Sequence, residues 1–419
     1  MRIETLLNRV YWHKSFVYES VHVEEIGGRE ALVVDIRPRA NGSAICSGCQ
    51  ETGSVYDHMP HYRQFEFVPL WNMPVYFHYT MRRVDCEVCG VRVEQVPWAE
   101  GKSPVTKPFA LFLARWAKRL SWKETAESFC TTWHTVYQSV KQIVEYGLKH
   151  RDLEGVTAIG VDELQYGKGH QYLTLVYQLN AGVRRLLFVG RERKAKTLLR
   201  FFWEFGKERC EGLKFVCSDM WQPYIKVITK KAPNALHILD RFHIVQKLGK
   251  AIDKIRATEV KRLAAEGYDD EVLKNTKYCF LKNEEHLTEK QEMKLADVLQ
   301  YDLKSVRAYL LKESFQLFWN YKSSYWAEWY LDKWCARAMR SRLDPIKKFV
   351  KTIRRHQPLI MNWFKAQKVY SSGIVEGMNR KINLVTRKSY GFRNYEILKL
   401  ALFLTMGGLP EPDFTHRFS

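Results

Sequence analysis

The chain has 419 residues, a length at which about two to four domains are expected. It contains 67 Lys and Arg against 46 Asp and Glu, a formal net charge of +21. Such a surplus favours a polyanionic partner, nucleic acid before membrane, although a merely basic soluble enzyme remains an alternative. The sequence has no signal-peptide pattern and no uninterrupted apolar run of about 18 residues, so we expect a soluble intracellular protein.

Two cysteine pairs predict a metal site in the first hundred residues. Cys46 and Cys49 form one C-x2-C pair, Cys86 and Cys89 form another, and 36 residues separate them. Four thiolates at this spacing can hold one structural Zn²⁺, and the aromatic and β-branched residues between the pairs predict a β-rich zinc ribbon. A redox pair or buried free thiols are the alternatives. The isolated cysteines are expected in the core, namely Cys130, Cys210, Cys217, Cys279 and Cys335.

Residues 106–150 contain three successive helical patterns. Ser121 and Glu124 have the spacing of a capping box, and Thr132 can cap the helix after it. A short helix, a tight turn and a longer helix are typical of a helix-turn-helix, whose last helix enters the major groove by its N-terminal residues. An ordinary helical bundle is the alternative. The side chains predicted to contact DNA are Trp133, His134, Gln138 and Lys141.

The next segment predicts an α/β core. Strand patterns at 157–164, 171–180 and 183–191 precede alternating helices and strands, an order typical of an RNase-H-like fold. In that topology the first and fourth strands are parallel neighbours. Asp162, near the end of the first strand, and Asp219, after the fourth, are therefore expected side by side.

The chemistry of two such acids indicates a divalent cation. Close carboxylates repel unless a cation lies between them, and hard oxygen ligands suit Mg²⁺ or Mn²⁺. Glu163 should point to the other face of its strand, because side chains alternate along a strand, and we do not expect it to bind the same ions. A strand-end acid can instead cap the next helix, and Asp240 fits that alternative well.

Helical patterns dominate residues 261–345 and predict an all-helical insertion. Phe315, Phe318, Tyr325 and Trp329 recur at roughly helical spacing, which predicts core packing. The alternative is an aromatic stack for an unpaired base.

The C-terminal segment contains one more informative acid, Glu376. A helix beginning near Ser372 would carry Glu376 and Asn379 on one stripe and apolar residues on the opposite face. From residue 345 onward, 14 Lys and Arg against 4 Asp and Glu give a net charge of +10, which suits a phosphate backbone. A salt bridge is the alternative role for Glu376. The basic residues predicted to contact DNA are Arg380, Lys381, Arg387, Lys388 and Arg393.

Several motifs in this order resemble a known family. The chain resembles bacterial insertion-sequence DDE transposases of the L-three family from about residue 40 to residue 405. The resemblance lies in the zinc pairs, the helix-turn-helix pattern and four motifs, "GVDE", "SDMWQPY", "DRFHIVQKL" and "SSGIVEGMNRKINLVTRKSYGFRNY". The resemblance implies a catalytic triad of Asp162, Asp219 and Glu376 that binds two divalent ions. Asp240 and His243 match an Asp-x-x-His found near the active site of related transposases and are secondary candidates.

The resemblance also implies partners and a reaction. The zinc and helix-turn-helix modules would bind terminal inverted repeats, and a homodimer would bring two transposon ends together. Water would cleave the strand, and the freed 3′-hydroxyl would attack target DNA. Such a protein would work in the bacterial cytoplasm, at the nucleoid. A DNA-binding regulator derived from a transposase and an RNase-H-like nuclease or junction resolvase are the competing functions.

The expected architecture is a multidomain α/β protein whose RNase-H-like core is interrupted by an all-helical insertion. A β-rich zinc-ribbon domain is predicted at 1–100 and a helix-turn-helix domain at 101–152. The first part of the catalytic core is predicted at 153–260 and the helical insertion at 261–345. The last part of the core, with the third acid and basic helices, is predicted at 346–419.

Overall fold

A computed structural model describes residues 2–167, 171–268, 271–368, 372–389, 392 and 394–413, apart from the side chains of 372–374 and of Glu376. The chain divides into two compact units. Unit 1 comprises Met1–Asp152 and Leu384–Ser419, and unit 2 comprises Leu153–Asn383. In the described part of the chain, no helix is both long and apolar enough to cross a membrane.

The N-terminal half of unit 1 is β-rich. One sheet has the order β1-β2-β6-β5, and a second sheet, which carries the cysteine pairs, has the order β3-β4-β7-β8. β1 and β2 form a hairpin whose turn residues Gly27 and Gly28 have φ values of 63° and 78°, a conformation that glycine adopts without strain. The elements are α1 (Ile3–Val10), β1 (Phe16–Ile26), β2 (Arg29–Pro38), β3 (Ala44–Ile45), β4 (Thr52–His58), β5 (Arg63–Leu70), β6 (Met73–Tyr79), β7 (Arg82–Cys86) and β8 (Gly90–Val93).

Three further helices of unit 1 follow the predicted order, namely α2 (Lys107–Ala117), α3 (Trp122–Ser128) and α4 (Trp133–His150). The predicted capping box is confirmed, because Glu124 donates its backbone N–H to Ser121 Oγ and accepts from the Ser121 N–H in return. Thr132 caps α4 as predicted, accepting from Thr135 at 3.1 Å. The apolar face of α4 is buried and contacts α2, α3 and α15 (Tyr395–Met406).

The prediction that the isolated cysteines lie in the core is wrong for Cys130. Cys130 is exposed, while the other isolated cysteines are buried. Cys130 lies in the tight turn between α3 and α4 with φ at 52°, the left-handed conformation that commonly ends a helix. The turn leaves its side chain in solvent.

Unit 2 is built on a sheet with the order β11-β10-β9-β12-β13. β9 pairs with β10 antiparallel and with β12 parallel, so the prediction that the first and fourth strands are parallel neighbours is confirmed. Apolar side chains of the sheet and of α5 and α7 form a buried core. The elements are β9 (Ala158–Gln165), β10 (Tyr172–Gln178), β11 (Arg185–Arg191), α5 (Ala195–Phe205), α6 (Lys207–Glu211), β12 (Phe215–Ser218), α7 (Gln222–Lys231), β13 (Leu236–Leu239) and α8 (Arg241–Ala265).

The rest of the described chain in unit 2 is helical. The protein is thus a mixed α/β multidomain chain with a β-rich N-terminal region and a helical C-terminal region. Helix α14 begins in unit 2 and ends in unit 1. The helices are α9 (Lys277–Leu281), α10 (Glu289–Leu299), α11 (Lys304–Gln316), a 3-10 helix (Leu317–Asn320), α12 (Ser324–Met339), α13 (Asp344–Lys365) and α14 (Ser372–Lys388).

The aromatic residues of the insertion separate into two groups. Phe315 and Phe318 are buried as predicted. Tyr325 and Trp329 are 69% and 48% exposed, so the prediction of core packing is wrong for these two residues. The 3-10 helix and the extended Tyr321 interrupt the helical register between the two pairs, so the spacing in sequence does not describe one continuous face.

Candidate active site and zinc-type cysteine cluster

Asp162 and Asp219 lie at the same edge of the unit 2 sheet. In the parallel register, Gly160 of β9 is opposite Cys217 of β12, and each acid comes two residues after its member of this pair. Asp162 is 8% exposed, and Asp219 directly follows the last residue of β12. The parallel pairing therefore brings both acids to the carboxyl edge of the sheet, where ligands of α/β folds commonly bind.

Helix α14 approaches the strand that carries Asp162. A Cβ atom added to Gly160 would lie 3.0 Å from the side chain of Val375, so glycine permits this close approach. One turn further along α14, Asn379 donates a hydrogen bond to Asp162 Oδ2 and accepts one from the Tyr177 hydroxyl at 2.7 Å. Glu376 belongs to the same helix, and its side chain lies outside the described part of the chain.

His243 lies between two acids. Its Nε2 atom is 3.6 Å from Asp162 Oδ1 and 3.7 Å from Asp240 Oδ2. Burial lowers the pKa of His243, but the nearby carboxylates of Asp162 and Asp240 outweigh burial, and the pKa is raised. The other oxygen of Asp240 accepts the Phe242 N–H at 2.7 Å, so Asp240 caps α8, as the alternative predicted, while it also faces His243.

Arg193 joins Glu163 to Asp219. Its Nε atom pairs with Glu163, and its Nη2 atom lies 3.2 Å from Asp219 Oδ2. The guanidinium lies over the Trp221 ring at 4.6 Å, and the Trp221 N–H donates to Asp219 Oδ1 at 2.9 Å. Burial and the negative charge of Asp219 raise the pKa of Glu163 to about 8, although Arg193 opposes this shift.

Sequence reasoning did not identify Arg193, Tyr177 or Asn379 as site residues. For Asn379 the sequence contains one indication of such a role, its position on the same helical stripe as Glu376. For Tyr177 and Arg193 it contains none, because their contacts with the site depend on the pairing of distant strands. Strand alternation predicted that Glu163 points away from Asp162 and its partners. Glu163 nevertheless contacts the same guanidinium group, that of Arg193, as Asp219 does.

The cysteine cluster in unit 1 is consistent with a zinc site. The four Sγ atoms of Cys46, Cys49, Cys86 and Cys89 all lie within 4.8 Å of one another, as one tetrahedral ion requires. The backbone N–H groups of Gly48 and Cys89 donate to the sulfurs of Cys46 and Cys86 at 3.3 and 3.4 Å. Elsewhere in the described residues, three His, Cys, Asp or Glu ligand atoms do not approach one another this closely.

The predicted DNA-contacting residues of α4 lie at its first turns. Trp133, His134 and Gln138 are exposed, and Lys141 is half-buried and 3.9 Å from Glu145. The Trp133 ring stacks on Tyr137, with centroids 5.6 Å apart.

The predicted basic contacts on α14 differ in exposure. Arg380, Lys381 and Arg387 are exposed. Lys388 is half-buried, and burial lowers its pKa. Arg393 lies outside the described residues.

Comparisons with known proteins define the class of this chain. The family model DDE_Tnp_ISL3, described as Transposase, matches residues 159–402. The chain is 30% identical to the transposase for insertion sequence element IS1557 of Mycobacterium tuberculosis, over 94% of this chain and 93% of the relative. It is 26% identical to the transposase for IS1001 of Bordetella parapertussis, over 92% of this chain and 93% of that relative.

These matches identify an enzyme that processes nucleic acid. The chain belongs to the ISL3 family of insertion-sequence DDE transposases, the L-three family that its motifs resemble. The family implies DNA as the partner and divalent metal ions as cofactors.

Proposed function

We propose that this chain is a metal-dependent DNA transposase that cuts and joins strands at the ends of its insertion sequence through Asp162, Asp219 and Glu376. The observation that carries the proposal is the position of Asp162 and Asp219. They follow, by two residues each, the directly opposite residues Gly160 and Cys217 of two parallel strands. The hydrogen bond from Asn379 to Asp162 supports Glu376 as the third acid, because Glu376 comes three residues earlier in the same helix and residues three apart share a helical face.

The core is of the RNase-H-like type in this proposal. Support comes from the strand order β11-β10-β9-β12-β13, with three strands in antiparallel succession followed by parallel β12 and β13. The helical insertion then separates the first part of the core from the segment with Glu376.

The donor set fits divalent ions. Asp162 and Asp219 offer hard carboxylate oxygens, and each lies beside a side chain that can carry positive charge, His243 and Arg193 respectively, which supports a site for cations at this edge. Two Mg²⁺ or Mn²⁺ ions held by Asp162, Asp219 and Glu376 would activate the attacking hydroxyl and stabilise the leaving oxygen.

The surrounding residues orient and balance these acids. Asn379 and the backbone N–H of Glu163 fix the two oxygens of Asp162. Arg193 and the Trp221 N–H hold Asp219 in the same way. His243 can hold a proton at Nε2 between Asp162 and Asp240, within reach of a reacting oxygen at this edge.

The reaction proceeds in two displacements at phosphorus. Water attacks a phosphodiester at the transposon end, a P–O bond forms and another breaks, and the products are a 3′-hydroxyl and a 5′-phosphate. The 3′-hydroxyl then attacks a phosphodiester of target DNA, and the target's 3′ oxygen leaves as a new hydroxyl.

DNA recognition is assigned to unit 1 and to the basic face of α14. Helices α3 and α4 act as a helix-turn-helix that reads the inverted repeats through Trp133, His134, Gln138 and Lys141. The cysteine cluster with one structural Zn²⁺ supports the β-rich region. Arg380, Lys381, Arg387, Lys388 and Arg393 contact phosphates. The protein works as a homodimer on two DNA ends, at the bacterial nucleoid.

The test is strand cleavage on duplexes that carry the ends of the element. Wild-type protein with Mg²⁺ or Mn²⁺ should nick at the ends, while Asp219→Asn and Glu376→Gln should bind the same duplex without nicking it. Glu211→Gln, which removes an exposed acid from α6, is the matched control and should nick like the wild type. End-specific binding by the wild type without strand cleavage would favour the regulator, and cleavage without preference for the ends would favour the nuclease.

A further inference from the structure

Two positively charged side chains of unit 2 pack against one pair of tryptophan rings beside the candidate active site. Arg241, the first residue of α8, places its guanidinium over the Trp319 ring at 5.3 Å. Lys368 lies after α13 with its Nζ 5.0 Å from the centre of the Trp363 ring, and it donates to the Trp319 carbonyl at 2.9 Å. The two indole rings pack edge to face, with centroids 5.2 Å apart.

The positive charges in this cluster repel one another. Burial lowers the pKa of Arg241, and burial together with the positive charges of Arg241 and Lys322 lowers the pKa of Lys368. Neither Arg241 nor Lys368 forms an ion pair with an acid of the described chain, whereas Arg193 in the same unit pairs with two acids. Partly buried cations without such a pair are electrostatically costly, and a bound anion would lower that cost.

The cluster also has a surplus of hydrogen-bond donors. The indole nitrogens of Trp319 and Trp363 are buried, and within the described residues and atoms neither has an acceptor. Buried donors normally have a partner, and these two belong to rings that pack against the two cations, so a ligand rich in acceptors would suit this cluster. A phosphate has this chemistry, because its oxygens carry negative charge and accept several hydrogen bonds.

Lys368 lies in the turn that ends α13. Gln367 and Lys368 have φ values of 52° and 62°, the left-handed conformation that commonly follows the end of a helix. From this turn Lys368 reaches the Trp319 carbonyl.

The cluster borders the candidate active site. One small cavity is lined by Arg241 and Trp363 together with Val161, the residue before Asp162, and Asp240. Arg241 also directly follows Asp240, whose carboxylate faces His243. A phosphate bound by Arg241 would therefore lie beside a residue of the candidate active site.

We propose that Arg241 and Lys368 form a binding site for a backbone phosphate of DNA at the border of the candidate active site. The inference rests on the proposed function, since it takes DNA as the substrate. The site positions the strand next to the acids and does not read bases, because a phosphate contact carries no sequence information.

The test is the salt dependence of DNA binding without divalent ions, measured by fluorescence anisotropy on a labelled duplex. Each phosphate contact contributes about 0.9 to the slope of log K against log salt concentration, so Lys368→Gln and Arg241→Gln should each lower the slope, by up to about 0.9. Lys368→Arg keeps the charge and should retain the wild-type slope. Lys230→Gln is the matched control, because α7 runs away from the carboxyl edge and Lys230 lies in its last turn.

The outcomes are separate from those of the cleavage assay. A Lys368→Gln slope equal to that of Lys230→Gln, in a variant with wild-type circular dichroism, overturns the phosphate site even if the wild type cuts DNA. A lower slope for Lys368→Gln with recovery in Lys368→Arg supports the site, even if no strand cleavage is found and the proposed reaction fails.

Discussion

Arg193 balances two carboxylates at the candidate active site. It contacts Glu163 and Asp219 with different guanidinium nitrogens and packs its face on Trp221. Without this cation, the two acids would repel each other in a partly buried site, where charge is costly. A divalent ion at the same edge would serve the same electrostatic purpose.

Replacing this arginine should create a dependence on divalent ions. Arg193→Gln is expected to lower the free energy of unfolding by about 1 to 3 kcal/mol, since it leaves the Asp219 carboxylate and the largely buried Glu163 carboxyl without their partner. Added Mg²⁺ should then raise the Tm of the variant more than that of the wild type, because an ion that binds the folded state stabilises it. Differential scanning calorimetry measures both effects.

The control for this experiment is Arg200→Gln. Arg200 forms an exposed pair with Glu204 on α5, so its loss should cost little and should not alter the response to Mg²⁺. An equal Mg²⁺ shift in the wild type and in Arg193→Gln would contradict the electrostatic role of Arg193.

His237 makes stability depend on pH. It is buried in β13, where its Nε2 is 2.8 Å from the Ser218 hydroxyl, and burial lowers its pKa from 6.5 to about 4. The unfolded chain takes up a proton below about pH 6.5 that the folded chain resists. Folding stability should therefore fall as the pH drops from 6.5 to 4, by up to about 3 kcal/mol from this residue.

The measurement compares thermal unfolding of the wild type and His237→Gln between pH 7 and pH 4. The variant lacks this titration, so any stability advantage of the wild type at pH 7 should shrink as the pH falls. A constant difference in Tm across the range would show that His237 does not titrate in this way.

At the scale of elements, the two cysteine turns organise the second sheet of unit 1. The sheet is small, and its buried cluster consists of Ala44, Val84 and the cysteines themselves. So few apolar side chains contribute little burial energy, and a bound metal would then supply much of the stability of this part.

Removal of the metal should therefore unfold or loosen this sheet. The protein is expected to contain about one Zn²⁺ per chain, and a chelator should lower its Tm. Cys86→Ser should reduce the zinc content measured by inductively coupled plasma mass spectrometry, whereas Cys130→Ser, at an exposed cysteine outside the cluster, should not. Equal zinc contents in the two variants would exclude the four-cysteine site.

At the scale of the whole molecule, the sequence predicted much of the fold because its signals were local. The capping box at Ser121 and the buried stripe of α4 follow from short patterns that the structure confirms. The parallel pairing of β9 with β12 was expected from the order of strands and helices along the chain, and it is confirmed as well. Domain boundaries and the roles of the predicted site residues stay predictions.

The remaining features depend on tertiary contacts that short patterns do not encode. The pairing of Arg193 with Glu163 and Asp219 needs the four strands from β11 to β12 to assemble in one sheet. The exposure of Tyr325 and Trp329 depends on a break in helical register that composition does not mark. The like-charged cluster around Lys368 also joins distant segments of the chain.

The central claim is that one of two adjacent acids in β9 is catalytic and the other is not. Asp162 faces Asn379 and His243, while Glu163 contacts Arg193. The decisive measurement is the rate of metal-dependent nicking at the element's ends by Asp162→Asn and Glu163→Gln under the same conditions. We expect Asp162→Asn to lose at least about 100-fold, roughly 2.7 kcal/mol of transition-state stabilisation, and Glu163→Gln to lose less than about tenfold. Equal losses in the two variants, or full activity in Asp162→Asn, would contradict the account.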